Sequence, residues 1–345
     1  MPARLIAPSL GAISNVCGEG GPYLPQGELL ANVSFRYLHS FREFHGSEEV
    51  SPVPNFLFAE TWVYGFDLSL VYQATPRFSF TLEIPVQDGI RKSFYEHDLT
   101  KLTHAYNMRA GGVGDLRLVG NVWVFEPDRH PEGNISIGLG IKIPTGNDDA
   151  KDFSHRATGL VLRPVDPAIQ PGDGGVGIVT EIAAFQKLYK NTYAYLQGVY
   201  LMNPRDTNGV QQTTGDEPDF TGGIFGFMFN SVPDQYLGRG GFGYVIWPKM
   251  GMSLTIGSRI EGLPVHDVIG GDRGWRSPGY AIYIEPGLYV SKGRFSVSVT
   301  GPVAVERHVD QNTTELSVSK QLGMNIGGFA AFADYLITAS VSVAF

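Results

Sequence analysis

Along most of the chain apolar and polar residues alternate one by one, the period of a β-strand with one apolar face. The pattern is clearest in Phe58–Ala74, where Trp62, Tyr64, Phe66, Leu68, Leu70 and Tyr72 alternate with Thr61, Gly65, Asp67, Ser69 and Gln73. The same rhythm predicts strands over Leu29–Phe41, Phe78–Gln87, Val113–Phe125, Asn134–Pro144, Gly175–Tyr189, Thr192–Asn203, Tyr236–Trp247, Met252–Glu261, Tyr280–Val290, Arg294–Glu306 and Ala333–Phe345. The connections alternate too: short links such as Thr75–Arg77, Lys190-Asn191 and Ser291–Gly293 take turns with long ones such as Asp88–Gly112 and Thr145–Gly174. A soluble sandwich has no reason to alternate in this way, whereas a transmembrane barrel has short periplasmic turns and long external loops. The pattern therefore predicts an all-β fold: a single antiparallel up-and-down transmembrane β-barrel of about twelve strands over residues 27–345. The even count puts both ends on the periplasmic side, with residues 1–26 an N-terminal segment in the periplasm or inside the barrel. No linker divides the chain, and closure leaves no sheet edges.

Composition agrees with this architecture. Gly 44 and 12% aromatics are high, while 17% charged residues is low for a soluble chain. No stretch approaches the roughly eighteen continuous apolar residues of a membrane helix. A net charge of −8 without a Lys/Arg cluster speaks against nucleic acid as a partner. The single cysteine, Cys17, allows no internal disulfide. Met1–Ser14, with one Arg4 and an apolar run broken by Pro8, lacks the pattern of a secretory leader.

With apolar faces toward lipid, the alternate faces point into the lumen. Their basic residues are Arg36, Arg117, Lys142, Lys187, Arg239 and Arg259; their acidic residues are Asp67, Glu83, Asp115, Glu181, Glu261, Glu285 and Glu306. The two sets nearly cancel, so no ring of one charge selects ions of one sign. These groups either pair across a narrow interior and hold it shut or line a path for solutes. Inward glycines such as Gly138, Gly243 and Gly257 either relieve crowding or leave volume for a ligand. The segment Phe220–Phe229 is unusually apolar for an external loop, and Phe220, Ile224, Phe225, Phe227 and Phe229 are expected to fold into the barrel mouth as a vestibule. Gly159–Val165 and Met324–Phe332 are milder cases.

Catalytic chemistry finds little support. His97-Asp98 and His266-Asp267 place their side chains on opposite faces of an extended strand. No nucleophile elbow is present, Asn147-Asp148-Asp149 lacks the spacing of a calcium loop, and Gly238–Gly243 precedes no helix. The expectation is no catalytic residue, no metal and no cofactor.

The last stretch carries a resemblance. Phe345, Val343, Val341, Ala339, Ile337 and Tyr335 form its apolar face, with an aromatic near each end. It resembles the closing strand of bacterial outer-membrane β-barrels, whose terminal aromatic is read by the barrel-assembly machinery. That implies a bacterial outer-membrane location, with lipid bilayer, lipopolysaccharide and the assembly machinery as partners, and marks Tyr335, Val341, Val343 and Phe345 as the assembly signal. Three further segments are similar to the G-x-G-D-L-x-L, L-K-x-P-T-G and Gly-rich elements of outer-membrane proteins described as transporters of the phenol-degradation meta-pathway. They are Gly112–Leu118, Gly138–Gly146 and Gln170–Gly175. The resemblance covers about a quarter of the chain, implies passage of small, often aromatic solutes and supplies no binding residues. The expected function is passive passage of small, weakly polar or apolar molecules. The alternatives are a sealed structural or adhesin-like barrel whose loops bind a partner and, third, a barrel hydrolase.

Overall fold

The computed structural model describes residues 22–50, 59–93, 104–156, 159–212 and 229–345. Among the described residues, fourteen strands form one antiparallel sheet, and in two places a pair of strands shares one wall position. The wall therefore has twelve positions. These are β1 (Leu29–Ser40), β2 (Ala59–Gln73), β3 (Phe78–Ser93), β4 (Tyr106–Val113 and Leu116–Trp123), β5 (Gly133–Ile143) and β6 (Gly177–Tyr189). They continue with β7 (Thr192–Met202), β8 (Gln235–Trp247), β9 (Met252–Leu263), β10 (Gly279–Lys292), β11 (Phe295–Thr300 and Val303–Val309) and β12 (Tyr335–Ala344). Each pairs with the next, and β12 pairs back onto β1 from Leu30↔Ala344 to His39↔Tyr335, closing the barrel.

The alternation of each strand becomes the two faces of the wall. On β2, Tyr64, Phe66, Leu68, Leu70 and Tyr72 are exposed while Thr61, Val63, Ser69, Val71 and Gln73 are buried. On β5, Ile135, Ile137, Leu139, Ile141 and Ile143 are exposed and Asn134, Ser136 and Lys142 are buried. A continuous outer belt of Val, Leu, Ile and Phe is far larger than a water-exposed monomer carries, and its solvent is lipid. Exposed Tyr189, Trp247, Phe295 and Phe345 ring one rim; Tyr37, Tyr64 and Tyr335 cluster near the other, with centroids 5.4 and 6.2 Å apart. The protein has the architecture of a bacterial outer-membrane barrel.

Both split positions have local causes. Pro85 of β3 has no N–H to donate, and between the pairs Glu83↔Arg117 and Val86↔Val113 the β4 side holds one extra residue, a bulge at Gly114–Asp115. In β11 the break falls at Gly301-Pro302, where Pro302 interrupts the ladder.

The external connections are more structured than the alternation predicts. Lys151–Arg156 and Gly159–Pro164 form a hairpin, and Arg42–His45, Glu48–Val50 and Phe329–Phe332 form a small sheet. The connection after β11 contains a helix, α1 (Thr313–Leu322). An apolar core including Leu38, Phe44, Met108, Val165, Ile169 and Phe332 fills the external end of the barrel.

Asn312 and Glu315 start α1 with a reciprocal capping box: the Glu315 N–H donates to Asn312 Oδ1 and the Asn312 N–H to Glu315 Oε2, both at 2.9 Å. Gly323, at φ 68°, ends it. Burial, opposed by hydrogen bonds from the Asn312 and Gly328 backbone, pushes the Glu315 carboxyl from its ordinary 4.5 up to about 7. A carboxyl raised in the folded state binds its proton more tightly there than in the unfolded chain, so cap stability falls as pH rises from 4.5 through 7. The loss above that window is about 3 kcal/mol. Hydrogen exchange of the α1 amides, corrected for intrinsic rates, is expected to show stronger protection at pH 5 than at pH 8. Glu315→Gln is expected to remove that difference.

Candidate functional site

The barrel interior is organised by charge pairs that strand register sets up. Glu83 and Arg117 lie directly opposite on β3 and β4, with Arg117 Nη2 2.8 Å from Glu83 Oε2. Arg239 and Arg259 also face each other, on β8 and β9. Like charges in that position destabilise a sheet, and Glu285 offsets them at 3.2 Å from Arg239 and 3.8 Å from Arg259. Glu261, two residues along the same face, accepts from Arg259 Nε at 2.8 Å. Arg36 is half-buried beside Glu261 and Asp67, and Glu181 is half-buried across from Gly138.

Two of the thirteen expected lumen residues are exposed to solvent. Lys187 sits on the exposed periplasmic rim, 2.7 Å from Glu132, where the β6–β7 ladder shifts between Lys187 and Tyr189. Glu306 is exposed and accepts from the Tyr280 hydroxyl at 3.1 Å. The register shifts opposite Ile282 and Tyr283, which reverses the alternation and turns Arg307 inward, 2.7 Å from Asp334.

The interior is also entered by a loop. Residues 164–175 leave the external hairpin and run down inside the wall, with Val165, Ala168, Ile169, Gln170 and Asp173 all buried. Ile169 packs onto Gly89, where a Cβ would come within 2.7 Å of it. Gln87 Nε2 donates to the carbonyls of Ile169 and Gln170 at 3.2 and 2.7 Å.

At the loop's lower end the segments Gly112–Leu118, Gly138–Gly146 and Gln170–Gly175 meet. Asp115, in the bulge of β4, accepts from the N–H of Gly146 at 2.9 Å and from the N–H of Asp173 at 3.0 Å. Lys142 pairs with Asp173 and lies 3.9 Å from Asp115. Thr145 Oγ1 accepts from the Leu116 N–H and donates to the Gly114 carbonyl, at 3.0 and 2.9 Å. Gly146 and Gly172 pack backbone to backbone: a Cβ on Gly172 would stand 2.3 Å from the Gly146 oxygen. Glycine is required at both positions by this approach.

The vestibule expected from the Phe220–Phe229 segment falls almost entirely on residues outside those described. Phe220, Ile224, Phe225 and Phe227 lie outside the described residues, and Phe229, itself exposed, begins the short strand Phe229–Ser231. The cues for residues 164–175 were the apolar Val165, Ala168 and Ile169 followed by Pro171-Gly172-Asp173-Gly174. With the loop in place, the described residues still leave two adjoining cavities. One lies among Arg36, Asp67, Asp115, Arg117, Lys142 and Asp173. The other opens under the external cap among Glu43, Arg91, Leu263, Trp275, Arg276 and Phe329. Asp173 and Gln235 border both.

The periplasmic half is more tightly filled. Ser298–Ser340 and Ser342–Asn32 hydrogen bonds cross the inner face at 2.6 and 2.9 Å. A Cβ on Gly243 would lie 2.1 Å from the Tyr193 ring, so here the inward glycine makes room for a tyrosine. Tyr23 enters the periplasmic mouth edge-on to Trp123 and Phe185, with centroids 5.1 and 5.8 Å away. Its hydroxyl accepts from Asn134 Nδ2 at 3.0 Å. Of the closing-strand residues, Val341 and Phe345 face outward and are exposed, and Val343 and Tyr335 are half-buried. Among the described residues no cluster of three or more His, Cys, Asp or Glu could hold a metal ion.

No protein-family model and no curated protein matches the chain. Solved structures do. An outer-membrane channel from Pseudomonas putida F1 superposes with a TM-score of 0.55 at 14% identity, covering 93% of this chain and 97% of that one. The β-domain of the Bordetella autotransporter BrkA gives a TM-score of 0.43 at 11% identity, over 93% of this chain and 100% of that one. The Ralstonia pickettii toluene transporter TbuX gives 0.43 at 9%, over 99% of each chain. The first match establishes the fold.

Proposed function

We propose that this protein is a passive channel of the outer membrane for small, weakly polar or apolar molecules, aromatic ones among them. The observation that carries the reading is the pair of adjoining cavities leading from the external cap into the barrel. The inner one is balanced in charge, with Arg36, Arg117 and Lys142 against Asp67, Asp115 and Asp173. Such a lining favours neither cations nor anions and suits neutral solutes. The P. putida barrel of the same fold is itself described as a channel, which supports the reading. The filled periplasmic half favours the rival, a sealed barrel whose external loops bind a partner, and makes the exit narrow.

Reconstitution in asymmetric vesicles with a lipopolysaccharide outer leaflet separates the two. Uptake of labelled toluene and benzyl alcohol is expected to exceed that of protein-free vesicles severalfold, accompanied by small conductance steps in planar bilayers. Uptake equal to the protein-free rate, with electrical silence, would leave the sealed barrel. Insertion is assigned to the assembly machinery acting on Tyr335, Val341, Val343 and Phe345. Removal of Phe345 is expected to lower the heat-modifiable folded fraction in outer-membrane extracts, and an unchanged fraction would count against that assignment.

A further inference from the structure

The external cavity contains two buried acceptors without a hydrogen-bond partner among the described residues. Gln235 is only 4% exposed, borders both cavities, and its Oε1 has no hydrogen-bond partner among the described residues. Glu43, from the short strand Arg42–His45, borders the external cavity, and its buried Oε2 also has no partner among the described residues. Leaving such an atom unpaired is costly, and native proteins rarely do so without a functional reason.

The positive groups in the same cavity are, by contrast, already engaged. Arg276 donates to both oxygens of Asp267 at 2.7 Å each. Arg91 donates to Thr61 Oγ1 at 3.0 Å and lies 3.3 Å from Asp166. Trp275, Phe329, Ala330 and Leu263 supply apolar wall. The cavity therefore offers acceptors and hydrocarbon surface, with its guanidinium groups neutralised. An incoming carboxylate would meet guanidinium groups already engaged by Asp267 and Asp166 and would face Glu43. A molecule with an apolar body and a hydroxyl would satisfy an orphan oxygen and bury its hydrocarbon. Burial raises the Glu43 carboxyl above its usual range, with Arg91 opposing, as expected for a group in that setting.

We infer that Gln235 and Glu43 form a headgroup-reading site at the entrance, selecting small neutral apolar molecules that carry a hydroxyl over their unfunctionalised and carboxylated counterparts. The inference rests on the channel reading and names its substrate class. Reading a missing donor through unpaired site groups is the stronger form of discrimination, because a site built to bond a hydroxyl is left unsatisfied by the analogue lacking it.

The test is equilibrium binding to the full-length protein in lipid nanodiscs, with empty nanodiscs subtracted, using benzyl alcohol, toluene and benzoate. Benzyl alcohol is expected to bind at least about tenfold more tightly than toluene, with benzoate weakest. Gln235→Met and Glu43→Met are each expected to bring the alcohol and toluene affinities substantially closer together, while Glu43→Gln, which keeps an acceptor, retains the preference. Heat-modifiability confirms that each variant is folded, and if Gln235→Met does not fold, the Glu43→Met and Glu43→Gln pair decides. Equal wild-type affinities for benzyl alcohol and toluene, or an unchanged preference in the folded Met variants, would overturn the site. Vesicle uptake of toluene and benzyl alcohol separates the two failures. Uptake without preference removes this site and leaves the channel; preference in binding without uptake removes the channel and leaves the site.

Discussion

Asp115→Ala is expected to raise the mean conductance of the reconstituted barrel at least about twofold and to make the open level noisy. The carboxylate holds the inward loop through the Gly146 and Asp173 N–H groups, and charge-assisted bonds of this kind contribute roughly 1.5–3 kcal/mol each. The remaining tethers include Gln87 to the Ile169 and Gln170 carbonyls, Lys142 to Asp173, the Gly172 N–H to the Asn147 carbonyl at 2.9 Å and Arg205 to the Gly174 carbonyl. Without Asp115 the lower end loses two of its bonds and loosens, and the cavity beside it widens. Asp115→Asn keeps one acceptor and is expected to fall between the two. Single-channel recording checks the series, and a conductance identical to wild type in Asp115→Ala would show that the loop does not obstruct the path.

The second large effect concerns stability. Arg259→Met is expected to cost about 3–5 kcal/mol, because Glu261 and Glu285 then share less positive charge in an interior with little water. Their side chains are 1% and 2% exposed. Arg239 would still meet Glu285 at 3.2 Å, so the loss falls mainly on Glu261. Arg259→Met/Glu261→Met is expected to recover much of it, since removing both partners leaves no carboxylate without its guanidinium. The temperature of the heat-induced mobility shift on SDS gels reads both. A single variant as stable as wild type would mean that Arg36 or water substitutes for the lost charge.

The wall was legible because its signal is local and repeated. Each residue of β2 between Thr61 and Gln73 declares its face by its neighbours, and bilayer and lumen impose opposite chemistry on the two. The errors fall where the period of two is broken. Glu306 and Arg307 exchange faces across a bulge, and Lys187 lies beside another ladder shift; neither irregularity is marked by glycine or proline at the residue itself. The inward loop was hidden for a different reason. Residues 164–175 have no periodicity, and their burial is decided by partners far away in sequence: Gly89, Asp115 and Gly146. Helix α1 was readable in principle, since Asn312, Glu315 and Gly323 are its start and stop signals. The three similar sequence elements could be recognised as strings, but only the fold explains them, as the parts of one latch around Asp115.

The closure of the barrel has a consequence for biogenesis. Because β1 takes its second neighbour from β12, an early strand of the wall waits for the last before its free edge is satisfied. Any chain cut short of Tyr335 presents two unpaired strand edges and a greasy exterior at once, the combination most prone to aggregate. Pairing between opposite ends of a polypeptide is also slow, since loop closure precedes the contacts that reward it. Until β12 is in place, the wall keeps an open edge at each end.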